Sequence, residues 1–168
     1  MAASLVSESL SDNQDTSSFD CSDAALNVYL HKFARQNQLK ESARTYVALE
    51  GKRVVGYYTL VFGSVSWDEA PTSLKKGLGK YPVPIILIAR LAVDKSYLGK
   101  GLGTDLLQEA LIRAISASEI AGLRAVIVDA KNERAKKFYL DRGFHPFAEE
   151  KMRLFVSMVE LKRTKGNN

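Results

Sequence analysis

The chain has 168 residues, 46% hydrophobic and 26% charged, a balance that suits one soluble globular domain over residues 1–168 and leaves too little chain for two. No apolar run approaches the ~20 residues that span a bilayer, and residues 1–18 lack the basic start and apolar run of a secretory signal, so no membrane association is expected. A lone cysteine, Cys21, excludes an internal disulfide and fits a reducing cytoplasm; the net charge of +5 favours an anionic partner but is equally consistent with solvated lysine.

In chain order, residues 1–18 are rich in Ser and Asp and are expected to supply a short edge strand and a loop. Ser22 or Asp23 can cap a helix running to about Gln36, with Leu26, Tyr29, Leu30 and Phe33 at the spacing of one buried face. This helix packs, and part of it is expected to line a substrate groove. Arg44–Glu50 and Arg53–Phe62 read as an antiparallel hairpin about Gly51, with Ser64–Trp67 as an extension. Ser73–Tyr81, which holds Lys75, Lys76 and Lys80, reads as an irregular basic segment before an apolar strand from Pro82 through Val93.

Gly103–Ala121 is the clearest helix, with Leu106, Leu107, Ala110, Leu111, Ala114 and Ile115 as its stripe. Ala125–Val128 is a continuous apolar run, as in a strand covered on both faces. Asn132–Arg142 reads as a second helix, capped by Asn132 and closed by a left-handed Gly143. Phe144–Ala148 and Met152–Leu161 read as final strands, and Lys162–Asn168 as a polar, frayed tail. The order β-α-β-β-β-α-β-α-β-β implies an α/β protein with a mixed sheet and helices on its faces.

Between the apolar strand and the long helix lies Leu98-Gly-Lys-Gly-Leu-Gly103. Its glycines let the backbone bend and approach a ligand, and its N–H groups converge on a helix N-terminus, where a phosphate is favoured. Lys100 adds a charge and Thr104 a hydroxyl. Taken alone, such a turn is equally a tight connection. Its spacing matches neither a Walker A loop nor the dinucleotide fingerprint.

The turn resembles the pyrophosphate motif R/Q-x-x-G-x-G/A of the GNAT N-acetyltransferases, departing from it only at Leu98. Downstream, Asn132, Ala135, Phe138, Tyr139, Gly143 and Phe144 match the same family's N-x-x-A-x-x-F-Y-x-x-x-G-F signature at every position. The resemblance implies a single mixed, mostly antiparallel sheet splayed at two parallel central strands, here Ile85–Val93 and Ala125–Val128. It implies acetyl-CoA as co-substrate, bound by Leu91, Ala92, Val93, Gly99, Lys100, Gly101, Leu102, Gly103, Thr104 and Asn132. No metal is implied, and His31 and His145 belong to no ligand spacing.

Amine attack on a thioester needs a proton for the departing thiolate. A tyrosine, with a pKa near ~10, is a poor base at neutral pH but a usable acid. Tyr139 is therefore the expected general acid, while Phe138 is expected to pack. Glu50 and Asp68 are candidate bases that no spacing selects.

Within the family, Phe19–Asp23, Arg44–Ala48, Ala89–Asp94, Gly99–Gly103 and Ala130–Ala135 resemble the acetyltransferase toxins of bacterial type II toxin–antitoxin systems. That resemblance implies acetylation of the α-amino group of aminoacyl-tRNA, with a block of translation. The implied partners are a ribbon-helix-helix antitoxin, operator DNA reached only through the antitoxin complex, and a second copy in a homodimer. Arg90, Lys75, Lys76, Lys80, Arg35 and Lys40 are the candidate tRNA-binding charges, expected around the mouth of the cleft. The alternative is an N-acetyltransferase for a small-molecule or protein amine.

Overall fold

The structure, a computed structural model, describes residues 7–166. Its strands are β1 (Glu8–Ser9), β2 (Arg44–Glu50), β3 (Arg53–Val65), β4 (Val83–Val93), β5 (Ala125–Asp129), β6 (His145–Pro146) and β7 (Arg153–Ser157). The helices are α1 (Ala24–Val28), α2 (Ala34–Leu39), α3 (Thr72–Lys75), α4 (Leu102–Ser118), α5 (Glu133–Leu140) and α6 (Met158–Gly166). The strands form one mixed sheet in the order β1-β2-β3-β4-β5-β7-β6, with β4 and β5 parallel. Among the described residues, no helix is long and apolar enough to cross a membrane.

The chain forms two compact units. The first holds the residues up to Val61 together with Ile88–Ala110. Here β1 pairs antiparallel with β2, and β2 with β3, with a register shift at Ala48/Leu49. The core gathers Leu10, Phe19, Tyr29, Leu30, Val47, Val54 and Tyr57. Tyr57 lies edge-on to Phe19 at 5.4 Å and donates its hydroxyl to the Leu26 carbonyl at 2.7 Å. That bond satisfies the polar tip of a fully buried ring and ties the strand to α1.

Asp23 is the cap of α1, accepting from the N–H groups of Ala25 and Leu26. Tyr29–Phe33 is a π-helical turn joining α1 to α2, so Ala34 N–H reaches back five residues to the Tyr29 carbonyl. The expected face Leu26, Tyr29, Leu30, Phe33 is corrected by this turn. Its extra residue rotates the helix. Tyr29 and Leu30 stay buried, Ala34 takes the next inward place, and Phe33 is left 47% exposed.

The second unit holds Phe62–Leu87 and the chain from Leu111 onward. In it β5 pairs antiparallel with β7, and β7 with β6. Val65, Leu74, Val83, Ile85, Ile127, Phe147 and Phe155 form its core. The strand expected over Phe144–Ala148 shortens to two residues, because Pro146 has no N–H to offer the ladder.

The strand expected to reach Leu161 stops at Ser157, and a helix replaces both its end and the expected frayed tail as far as Gly166. The Ser157 hydroxyl accepts from the Glu160 N–H at 3.0 Å and also meets its carboxylate at 3.2 Å, which is a capping-box spacing at a helix start.

Candidate active site

The glycine turn lies in the first unit, in the connection between β4 and α4. Asp94, only 3% exposed, organises it. Its carboxylate accepts from the N–H of Ser96 at 3.0 Å, the Ser96 hydroxyl at 2.7 Å and the N–H of Asp20 at 3.0 Å, and Arg53 stands 3.7 Å away. Its own N–H donates to the Val55 carbonyl at 2.8 Å. These contacts hold a single 3₁₀ turn, Lys95–Tyr97. Lys95 pairs with Asp20 at 3.1 Å, and the Tyr97 hydroxyl donates to Glu50. Glu50, a candidate base from sequence, is therefore a brace for the loop.

Beyond Leu98 the backbone turns left-handed at Gly99 (φ 74°) and again at Gly101 (φ 83°), and α4 starts at Leu102. Nothing lies within 4 Å of where a Cβ would stand on either glycine, so conformation alone demands glycine there. The N–H groups in the first turn of a helix have no carbonyl four residues back to reach, and they carry the positive end of the helix dipole. Lys100, exposed, places its ammonium 5.1 Å from the Tyr97 ring centroid.

Several residues named from sequence divide their roles between backbone and side chain. Leu102 and Ala92 are buried, and the Leu102 side chain would stand 3.1 Å from a Cβ on Gly56. Their side chains serve the core, so only their backbone groups are available to a cofactor. Leu91, Val93, Gly103 and Thr104 are half-buried.

Sequence reasoning did not single out Asp94 as a site residue. Its signal was the Asp-x-Ser spacing of Asp94 and Ser96 just before the turn. Burial works to raise the Asp94 carboxyl, but the N–H groups of Asp20 and Ser96, the Ser96 hydroxyl and Arg53 together hold it below its ordinary value. A depressed folded pKa stabilises the fold above the unfolded value and loses that contribution as the pH falls through the folded one. Asp94→Asn is accordingly expected to cost about 2 kcal/mol at pH 7, and the gap to wild type should begin to narrow only as the pH falls below ~4. Urea unfolding at pH 7 and pH 3 checks it.

The second constellation lies in the other unit, on α5. Asn132 is its N-cap, accepting from the Ala135 N–H at 2.8 Å. The C-terminal end is closed by Phe144 N–H donating to the Tyr139 carbonyl at 3.1 Å, with Gly143 left-handed at φ 95°. This locks Tyr139 between two aromatic edges, Phe138 at 5.2 Å and Phe144 at 5.4 Å. Phe138 is half-buried, with the Arg142 guanidinium 3.8 Å from its ring centroid. Tyr139 is 8% exposed, and burial pushes its hydroxyl up to about 12. It is neutral and protonated across the physiological range.

The basic residues named from sequence fall in both units. Arg35 donates to the carbonyls of Ser11 at 3.0 Å and Gln14 at 2.6 Å, so it ties down the N-terminal segment. The Arg90 guanidinium lies 3.7 Å from the Tyr29 ring centroid. It lines a groove of about 420 Å³ with Ala24, Ala25, Val28, Tyr29 and Phe33, where the helix was expected to border a groove. Lys75 donates to the Trp67 carbonyl at 3.1 Å. His31 meets the Phe19 carbonyl at 3.0 Å and His145 meets Glu160 at 2.8 Å.

The first unit carries a left-handed glycine turn feeding a helix, and the second an Asn-capped helix with a buried tyrosine, the two motifs that resemble the GNAT N-acetyltransferases. Residues 8–144 match the model of the acetyltransferase (GNAT) family, and the chain belongs to that family. It is 35% identical over 158 residues to a tRNA-acetylating toxin of Mycobacterium tuberculosis, covering 94% of this chain and 95% of the relative.

Two solved structures resemble it closely. AtaT complexed with acetyl-methionyl-tRNAfMet superposes with a TM-score of 0.89 at 30% identity, covering 96% of this chain and 99% of the other. A mutant AtaT toxin bound to the C-terminus of the antitoxin AtaR and acetyl-CoA superposes with a TM-score of 0.82 at 28% identity, covering 95% and 97%.

Proposed function

We propose that this chain, acting as one N-acetyltransferase domain, transfers the acetyl group of acetyl-CoA to the α-amino group of an aminoacyl-tRNA and is the toxin of a toxin–antitoxin pair. The observation that carries this reading is Tyr139, a buried, protonated hydroxyl on the Asn132-capped helix of a family that transfers acetyl groups. The tRNA-acetylating relative, similar over nearly its whole length, supports the choice of acceptor.

The residues divide the work. The backbone from Gly99 to Thr104, with Lys100, holds the pyrophosphate, and the backbone of Leu91–Val93 aligns the pantetheine arm. Asn132 orients the helix that carries Tyr139. The neutral amine attacks the thioester carbon, the C–S bond breaks, and Tyr139 gives its hydroxyl proton to the departing sulfur. The nitrogen sheds its extra proton to solvent or back to Tyr139, which restores the acid. Holding the two substrates together supplies much of the remaining rate.

The toxin works in the cytoplasm as a homodimer. A ribbon-helix-helix antitoxin silences it, and operator DNA is reached only through that complex. With labelled acetyl-CoA and bulk charged tRNA, the label is expected on the aminoacyl moiety, and expression without the antitoxin is expected to arrest growth. Label entering polyamines or peptides but not aminoacyl-tRNA would replace this reading with that of a small-molecule or protein acetyltransferase.

A further inference from the structure

The segment between β3 and β4 is more ordered than its composition implies. Leu74, 1% exposed, anchors it in the core. Arg124 donates to the carbonyls of Leu74 and Lys76, both at 3.1 Å. Leu78 N–H donates to Lys75 at 3.0 Å and Tyr81 N–H to Gly79 at 2.8 Å. The chain from Pro71 to Val93 contains Lys75, Lys76, Lys80 and Arg90 and no acidic residue.

Within this frame the lysines differ. Lys75 is turned inward, its ammonium 4.1 Å from the Trp67 ring centroid and bonded to the Trp67 carbonyl. Lys80 lies farther off, at 5.3 Å from the same ring, and is exposed like Lys76. Beside them Tyr81 is 76% exposed. Its ring lies close over Gly79, where a Cβ would come within 3.1 Å and 3.2 Å of two ring carbons. A large aromatic standing in the open beside Lys80, in a stretch from Pro71 to Val93 that carries cations and no acid, matches an anionic chain that carries flat bases.

We propose that Tyr81, with Lys76 and Lys80, is a docking platform for the acceptor tRNA. Tyr81 stacks on an unpaired base of its single-stranded 3′ end, and the two lysines meet the adjoining phosphates. This rests on the aminoacyl-tRNA reading above. Stacking needs the ring and not the hydroxyl, so Tyr81→Phe should behave as wild type.

The test compares two acceptors with the full-length enzyme, charged tRNA and an amino acid methyl ester that carries no nucleotide. Tyr81→Ala is expected to raise KM for charged tRNA ~10-fold with kcat little changed. KM for the methyl ester should move less than twofold, and thermal stability should be unaltered. Tyr81→Phe should restore the tRNA value. Lys76→Gln with Lys80→Gln should flatten the salt dependence of the tRNA KM by about 1–2 in log–log slope.

An unchanged tRNA KM in Tyr81→Ala, while wild type turns charged tRNA over, overturns the platform and leaves the functional reading standing. An equal rise with the methyl ester also overturns it, since the effect would then lie at the amine site. So does loss of antitoxin binding with the tRNA KM intact, which would make this a protein-docking surface. If wild type acetylates the ester but no charged tRNA, both proposals fall.

Discussion

Tyr139→Phe is expected to lower kcat for acetyl transfer by about 10²- to 10³-fold while KM for acetyl-CoA stays within about twofold, measured by steady-state kinetics on charged tRNA. The substitution removes one oxygen from a ring already fixed between Phe138 and Phe144, so packing and helix capping survive. The same variant should no longer arrest growth. Wild-type turnover from it would refute the assignment of Tyr139 as acid.

The environment of Tyr139 also sets a pH signature. Burial raises its hydroxyl to about 12, so the acid form is retained far above neutrality. The acceptor amine must be neutral to attack, and α-amino groups titrate near ~8. The rate is therefore expected to climb through pH ~8 and then hold level to pH ~10, with no alkaline fall from Tyr139. A hydroxyl near 12 is also a weak acid toward a thiolate near ~8.5. In the proposed role, Tyr139 would therefore act on charge while it develops on sulfur, in the transition state, rather than by protonating a free thiolate afterwards.

The second large effect concerns the cradle. Gly101→Val is expected to weaken acetyl-CoA binding by about 10- to 100-fold, with kcat at saturation reduced far less, as read by calorimetry and kinetics. The left-handed region costs an L-residue roughly 1–2 kcal/mol, and a β-branched side chain more. The turn therefore opens and its N–H groups no longer converge. Since no protein atom stands within 4 Å of the added carbon, a clash within the protein is not the cause. Gly101→Asn, which tolerates that conformation, should bind within a few-fold of wild type. Equal losses in the two variants would place the effect in bulk against the ligand rather than in backbone strain.

The glycine turn and the helix caps were legible in the sequence because their signals are local. Asn132 three residues before Ala135, Gly143 after α5, and the alternating glycines before α4 each specify a backbone conformation within one or two turns of chain. The apolar stripe of α4 was equally plain, and five of its six residues are buried. A nearby signal was also overridden. The apolar residues from Met152 to Leu161 read as one strand, yet the Ser157 hydroxyl accepts from the Glu160 N–H and starts α6 there. A cap supplies partners for backbone donors, which an apolar run does not.

The sequence by itself determined the glycine turn, the capped tyrosine helix and the family, since turn and cap chemistry need no distant partner. Tertiary structure decided which charges are spent. Arg35 holds Ser11 and Gln14, Lys75 lies on Trp67, Glu50 braces Tyr97, and Asp94 gathers Asp20, Ser96 and Arg53. Apart from Ser96 and Trp67, those partners lie far away in the chain, and a side chain's charge does not announce its partner. The folded chain brings the partners together, and what stays outward, Lys76, Lys80 and Tyr81, becomes visible only then.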